Sequence, residues 1–371
     1  MRIAMLGPSR HPVAEPFAGG QESHVATLTR ALRRRGHHVT LYAAPGSDDT
    51  IADALWTHPP LPLLSAVAAL DPQLPEPGFL YDHHAFFAVL ADLLRRRGTF
   101  DVIHNNSLHH LPLVASSALT APVLTTLHTP PFPWMEVGTA LADRGARFVA
   151  VSRDLAAQWT TLDPPPSVVL NGVDPERFPF GPGGSSLVWV GRLVPDKGAD
   201  VAIAAARRAG HCLKLIGPIS DPEWFRSIVQ PVLDDNIRYV GHLDQADCAR
   251  IVGASSALLV TPRWEEPFGL VAAEAALTGT PVVAIRRGGL AEVVRSPIGI
   301  LVTPRTTDTA TCDGLVAAIT SATALSREEV SRSARQRFGA ETMARAYEEI
   351  YSTLPPPTPV EVADSVVPSL W

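Results

Sequence analysis

Two glutamates, Glu266 and Glu274, stand with seven residues between them in WEEPFGLVAAE, and two cations, Arg192 and Lys197, flank the turn in GRLVPDKG. Carboxylates accept hydrogen bonds from sugar hydroxyls. Arg grips phosphate oxygens with a planar fork and Lys with a point charge. Each stretch directly follows a short apolar run, 257–261 and 187–191. Pro267 and Gly269 mark a turn, and residues 269–278 (GLVAAEAALT) then have the composition of a helix. The free N–H groups and dipole at its N-terminus favour an anion such as a diphosphate. Glu274 falls near the second turn of that helix, with Glu266 in the loop before it. The plain alternatives are a solvated loop charge, a surface helix residue and a strand-end turn with surface cations. Composition gives the cations more weight: of 31 basic residues only Lys197 and Lys214 are lysine.

A third stretch is Gly19–Gly20, in the loop after the first strand and followed by QESHV at a helix start. Glycine lets backbone approach a ligand, but the spacing is not GxGxxG, which weakens a dinucleotide-cofactor reading. Metal chemistry finds little support. Asp48–Asp49 reads as a solvated loop pair and no HExxH occurs. The histidine pairs 37–38, 83–84 and 109–110 are adjacent residues, which on a strand point to opposite faces, so they read as surface or loop histidines. The Arg triplets 33–35 and 95–97 precede Gly36 and Gly98, where they favour helix C-termini.

The elements that must position these groups alternate. Short β-branched runs at 2–6, 39–43, 101–104, 123–128 and 148–152 are separated by helical patterns, of which 21–35 is the clearest. The pattern restarts with runs at 187–191, 213–217, 237–240, 257–261, 282–285 and 299–302. Apolar strands joined by helical crossovers imply a parallel sheet covered on both faces. Residues 163–184 are dense in Pro and Gly, so the domain boundary is placed there. The reading is α/β with two Rossmann-like halves, 1–170 and 185–334, joined by 171–184. Ligands of such folds bind at the carboxyl ends of the strands, in the cleft between the halves. Residues 55–81, with repeated prolines, read as an extended connection. Residues 327–352 read as charged and helical, and 355–371 as a Pro-rich tail.

The chain has 371 residues, 46% of them hydrophobic and 18% charged, enough for two full cores. Its net charge of −6 argues against a nucleic-acid binder. Three scattered cysteines fit a reducing cytoplasm rather than a disulfide framework. No apolar run is long enough to span a bilayer, and the first ten residues read as a strand and turn rather than a signal peptide. A local membrane-facing patch stays open.

Taken together, the three stretches resemble the retaining glycosyltransferases of the GT-B fold, family 4. The Glu266–Glu274 spacing matches the family's Glu-x7-Glu hallmark, and GRLVPDKG its donor-phosphate motif at Arg192 and Lys197. NGVD at 171–174 matches an interdomain signature, Gly19–Gly20 the first-half glycine loop, and GGLAE at 288–292 a further second-half loop. The resemblance spans nearly all of 1–350. It implies that two Rossmann-like domains face each other across a deep cleft, with a last helix near 335–352 packing back onto the first.

The resemblance also implies roles. Arg192 and Lys197 neutralise the donor diphosphate, and Glu266 binds hydroxyls of the donor hexose. The backbone of Phe268, Gly269, Leu270 and Val271 contacts sugar and phosphates, Glu274 binds the ribose, and His128 contacts the sugar near its reacting carbon. For His128, a satisfied strand-end histidine is the competing reading. The expected reaction is metal-independent hexosyl transfer with retention. The nucleotide-sugar donor is a co-substrate, UDP-glucose above others, and no cofactor is implied. The acceptor, whether small molecule, glycan or lipid, is left open, as is monomer or homodimer. Two alternatives compete: a nucleotide-sugar hydrolase or epimerase of the same fold, and a non-catalytic nucleotide-sugar-binding partner protein.

Overall fold

The computed structural model describes residues 1–72 and 76–359. Its first sheet contains β1 (Arg2–Leu6), β2 (His38–Ala43), β3 (Ala54–Thr57), β4 (Val102–Asn105), β5 (Val123–Leu127), β6 (Arg147–Ala150) and β7 (Ser167–Val168). The second contains β8 (Leu187–Val190), β9 (Leu213–Ile216), β10 (Ile237–Gly241), β11 (Ala257–Val260), β12 (Val282–Ile285) and β13 (Gly299–Val302). All pairings are parallel. The orders are β3-β2-β1-β4-β5-β6-β7 and β10-β9-β8-β11-β12-β13. Each order reverses beside its first strand, between β1 and β4 and between β8 and β11. A crevice opens at such a reversal because the two flanking crossovers leave on opposite faces of the sheet.

The interior strands are apolar without alternation because helices cover both faces. Ile3, Ala4, Met5 and Leu6 of β1 are fully buried, as are Leu258 and Leu259 of β11. The helix Gly20–Arg34 turns Val25, Leu28 and Leu32 onto the first sheet, an i, i+3, i+7 stripe. Arg33 and Arg34 lie in its last turn, and Gly36 at φ 86° ends it.

Two expectations need correction. Residues 55–81 are not simply an extended connection. β3 lies along the sheet edge, a short 3-10 turn spans Ala68–Leu70, and a helix runs from Pro77 to Arg95. Proline is tolerated in the first helical turn, where its missing N–H costs nothing. Glu76 caps this helix, its Oε2 accepting from the Phe79 amide at 3.1 Å. Residues 73–75, like 360–371 of the Pro-rich tail, lie outside the described residues.

The last helix also starts later than expected. Arg327–Phe338 and Ala340–Thr353 are separate helices divided at Gly339. The first packs on the helix Leu270–Leu277 of the second half, so residues 335–338 do not belong to the returning element. The second buries Ala340, Met343, Ala344, Tyr347 and Tyr351 in the core of the first half. The NGVD turn meets this break. The Val173 amide donates to Phe338 O at 2.7 Å, and the Ala340 amide to Val173 O at 2.9 Å. A Cβ on Gly172 would lie 2.9 Å from Ala340 Cα, so the two crossings of the chain between its halves are pressed together.

Candidate active site

The carboxyl ends of β1, β4 and β5 face those of β8 and β11 across a cavity of about 500 Å³. Arg192, Lys197, Glu266, His128, Gly19, Gly20, Phe268, Gly269, Leu270, Val271 and Glu274 all line it. The helices beginning at Gly20 and at Leu270 both aim their N-termini into the gap. They approach closely, for a Cβ on Gly20 would sit 3.8 Å from Leu270 Cδ2. Exposed N–H groups from both sides make the cleft floor suited to an anion.

Lys197 Nζ donates to Glu266 Oε2 at 2.6 Å, and Trp264 Nε1 donates to the same oxygen at 3.0 Å. The ammonium also stands 4.8 Å above the Trp264 ring. Both donors converge on Oε2, which leaves Oε1 free to accept from a hydroxyl. The adjacent Glu265 faces the other way, where it holds Arg287 at 3.0 Å and the Gly288 amide at 2.6 Å. The Gly289 amide donates to Glu266 O at 2.8 Å. GGLAE is therefore the brace that turns Glu266 inward. Arg192 is exposed at the cleft mouth and makes no hydrogen bond or ion pair among the described residues.

Glu274 is not a surface residue. It lines the cavity, and burial pushes its carboxyl up to about 7. Desolvation penalises the ionised form, and among the described residues no cation compensates it. His128 Nε2 donates to Asn106 Oδ1 at 3.0 Å, leaving Nδ1 as the acceptor. Burial, with His24 and His104 nearby, holds this ring well below the ordinary imidazole value, so it is neutral. Phe268 is split in role: its ring is 2% exposed and packs edge-on against Phe338 at 5.8 Å, while its backbone borders the cleft.

Gly269 has φ 89°, and an added Cβ would meet Leu290 Cδ2 at 2.3 Å. We expect Gly269→Ala to cost about 1–3 kcal/mol through backbone strain and displacement of the buried Leu290. Thermal unfolding should show the loss as a lower midpoint; an unchanged midpoint would show that the turn relaxes freely.

Several contributors escaped the sequence reading. Ser152 Oγ donates to Pro267 O at 2.6 Å across the cleft while accepting from the Leu155 amide at 3.0 Å. Its sequence signal was only that of a helix N-cap. Glu15 joins the halves by pairing with Arg177 and accepting from the Gln245 amide at 3.0 Å. His242 Nε2 meets Phe17 O at 3.0 Å. Glu22 is buried beneath the glycine loop. Burial raises its carboxyl, offset in part by backbone N–H groups, His11 and Arg192.

The sequence profile of Glycosyltransferase Family 4 matches residues 18–177, and that of Glycosyl transferases group 1 matches residues 184–321. The chain belongs to the GT-B glycosyltransferases of family 4. This glycosyltransferase is 29% identical over 407 aligned positions to glycogen synthase of Mycobacterium tuberculosis, covering 95% of this chain and 94% of that one. It is 28% identical to D-inositol 3-phosphate glycosyltransferase 2 of Catenulispora acidiphila, covering 79% of this chain and 81% of that one. Among solved structures, Anabaena Alr3699/HepE in complex with UDP-glucose superposes with TM-score 0.73 at 21% identity, covering 95% of this chain and 100% of that one. AviGT4, a glycosyltransferase involved in avilamycin A biosynthesis, gives TM-score 0.69 at 24% identity, covering 95% and 97%. The two-sheet α/β architecture of this glycosyltransferase is thus the GT-B fold. No described helix is long and apolar enough to cross a membrane.

Proposed function

We propose that this glycosyltransferase moves a hexose, glucose foremost, from a UDP-linked donor to an acceptor hydroxyl with retention of anomeric configuration. The observation that carries the reading is the Lys197–Glu266 contact on the floor of a cleft ringed by helix N-termini. It sets a phosphate-binding cation and a hydroxyl-binding carboxylate side by side, so that one donor molecule can meet both. The complex of Alr3699/HepE with UDP-glucose supports the choice of donor.

In this reading the acceptor oxygen attacks the anomeric carbon from the face the diphosphate leaves. The bond from that carbon to the phosphate oxygen breaks, and the acceptor proton passes to the departing phosphate. Lys197 and Arg192 stabilise the charge gathering on the leaving group, a task that here needs no metal. Glu266 Oε1 and His128 Nδ1 orient the sugar, and Glu274 takes the ribose hydroxyls. The two halves separate to admit substrate and close to exclude water. The chain acts in the cytoplasm, where nucleotide sugars are at hand.

Thermal unfolding with UDP, UDP-glucose, GDP, ADP and NAD in turn tests the donor class. A ligand at 100 times its Kd adds about 2.7 kcal/mol, a rise of a few degrees. We expect UDP and UDP-glucose to raise the midpoint and NAD to leave it unchanged. A rise with NAD alone, or with none of the five, would overturn the reading.

A further inference from the structure

Three histidines that the transfer reaction does not use converge in the first half, beside the cleft wall. His83 lies on the helix Pro77–Arg95, and His109 and His110 follow β4. Adjacent residues on a strand would point apart, but this pair lies beyond the strand end. The Ser107 amide and hydroxyl both bond Asn105 Oδ1, at 3.1 and 2.6 Å, and Leu108 turns the backbone with φ 56°. A non-glycine residue in this left-handed region marks a conformation that the surroundings enforce. As a result the His109 and His110 rings stack, 4.6 Å apart and 19° from parallel. His83 stands edge-on to His109 at 4.9 Å. One nitrogen from each of the three rings lies within 4.8 Å of the others.

We propose that His83, His109 and His110 form a site for a divalent transition-metal ion, Zn²⁺ foremost, that ties the Pro77–Arg95 helix to the loop after β4. His83 is already set for the task. Its Nδ1 donates to Phe79 O at 2.9 Å, one helical turn back, which places the lone pair on Nε2 and fixes the ring. A backbone carbonyl holding the far nitrogen is the usual support behind a ligating histidine. His109 is 9% exposed, and its Nε2 is buried without a hydrogen-bond partner among the described residues. A buried polar atom left unpaired is costly, and a metal ion would satisfy it. Burial and the rings of His110 and His83 hold His109 down to about 3, so at neutral pH the ring is uncharged, with its proton on Nε2 while Nδ1 accepts from the Leu111 amide. The nearby Arg10 is neutralised by Asp82 at 2.6 Å.

Tetrahedral zinc with Zn–N of about 2.0–2.1 Å spaces its ligand nitrogens by about 3.4 Å. The three rings therefore close by up to about 1.4 Å on binding. His109 Nδ1 now accepts from the Leu111 amide at 3.2 Å. Ligation through Nε2 moves the ring proton to Nδ1 and releases that bond. A fourth position is left for water. Three imidazoles without carboxylate or thiolate suit Zn²⁺, Ni²⁺ or Cu²⁺ and disfavour Mg²⁺ or Ca²⁺. Leu108, which leads into the pair, lines the catalytic cavity, so metal binding would stiffen its wall on the first-half side.

The test uses the full chain without a histidine tag, stripped with a chelator and titrated with Co²⁺. We expect one equivalent to bind with the intense visible bands of a tetrahedral centre, and one equivalent of Zn²⁺ to abolish them. Zn²⁺ should also raise the thermal midpoint of the parent. His83→Gln and His110→Gln should lose both the bands and the Zn²⁺-dependent rise, while melting in metal-free buffer like the parent. His83 is only partly buried, so its variant decides the matter if the other fails to fold. Absence of tetrahedral bands, or bands that survive His83→Gln, would overturn the assignment.

Discussion

Replacing Lys197 with alanine should lower kcat by about 10²–10³-fold, the scale on which a single charge-stabilising donor acts in a transition state. KM for the donor should move far less. The diphosphate of the bound donor already carries two negative charges and gains a further one as the glycosidic bond breaks, so the part of the ammonium's attraction that answers this added charge acts in the transition state and not on the bound substrate. The structure adds a second consequence. Lys197 holds Glu266 Oε2 at 2.6 Å and leans on the Trp264 ring, so its removal also frees the carboxylate that orients the sugar. Lys197→Arg separates the two effects: it keeps the charge but changes the length and shape of the contact. We expect it to recover part of kcat. Steady-state kinetics with a working acceptor, alongside a melting curve to confirm folding, provides the measurement. Unchanged kcat in Lys197→Ala would remove the residue from the leaving-group clamp.

The second large effect concerns Glu274. Removing the carboxyl should weaken UDP binding by about 1.5–3 kcal/mol, roughly 10- to 150-fold, as expected for a hydrogen bond to a charged group. Its raised pKa also makes binding depend on pH. Ribose hydroxyls donate to the ionised carboxylate, which in the free protein forms only as pH rises through about 7. UDP affinity should therefore increase with pH across that value. It should be about tenfold weaker near pH 6 than near pH 8, with a proton released on binding. Stability of the free protein runs the opposite way. The folded pKa is raised from 4.5 to about 7, so this group's contribution is present below about 4.5 and falls away as pH rises through about 7. Calorimetry in buffers of differing ionisation heat tests the first claim. Glu274→Gln serves as the control, because its remaining pH dependence reports the phosphate of UDP alone. A parent that matches this variant at every pH would remove Glu274 from the ribose role.

What could be read from the sequence was local. The apolar runs of β8, β11 and β12 are written in consecutive residues, so the two parallel sheets follow from them, while the GT-B arrangement and the residues lining the cavity came from the family resemblance that the motifs carry. β3 and β7 were missed because they are short edge strands, and β3 runs directly into prolines. The end of the Pro77 helix is legible in the arginines at 95–97, but its start is not, because proline reads as a breaker, whereas here it opens the helix. The rest depended on partners distant in sequence. Nothing near Ser152 announces that it will hold Pro267, 115 residues away. Nothing near Glu15 announces Arg177 and Gln245. Strand geometry sets residues 109 and 110 on opposite faces, yet one residue in the left-handed region is enough to bring them face to face.

The helix Ala340–Thr353, packed into the first half, has a consequence for the order in which the protein is made. A ribosome extrudes the first sheet long before it reaches Tyr347 and Tyr351, whose rings complete that sheet's core. Their hydroxyls bond inside it: Tyr351 to His104 Nδ1 at 2.7 Å and Tyr347 to Thr126 Oγ1 at 3.0 Å. Until then the N-terminal half must wait with an apolar trough open, while the second half, whose strands and helices are contiguous in the chain, can close by itself. The first domain to be synthesised is therefore the last to be finished. A nascent chain arrested before residue 340 should be captured by chaperones through its N-terminal half, although every strand of that half has already left the exit tunnel.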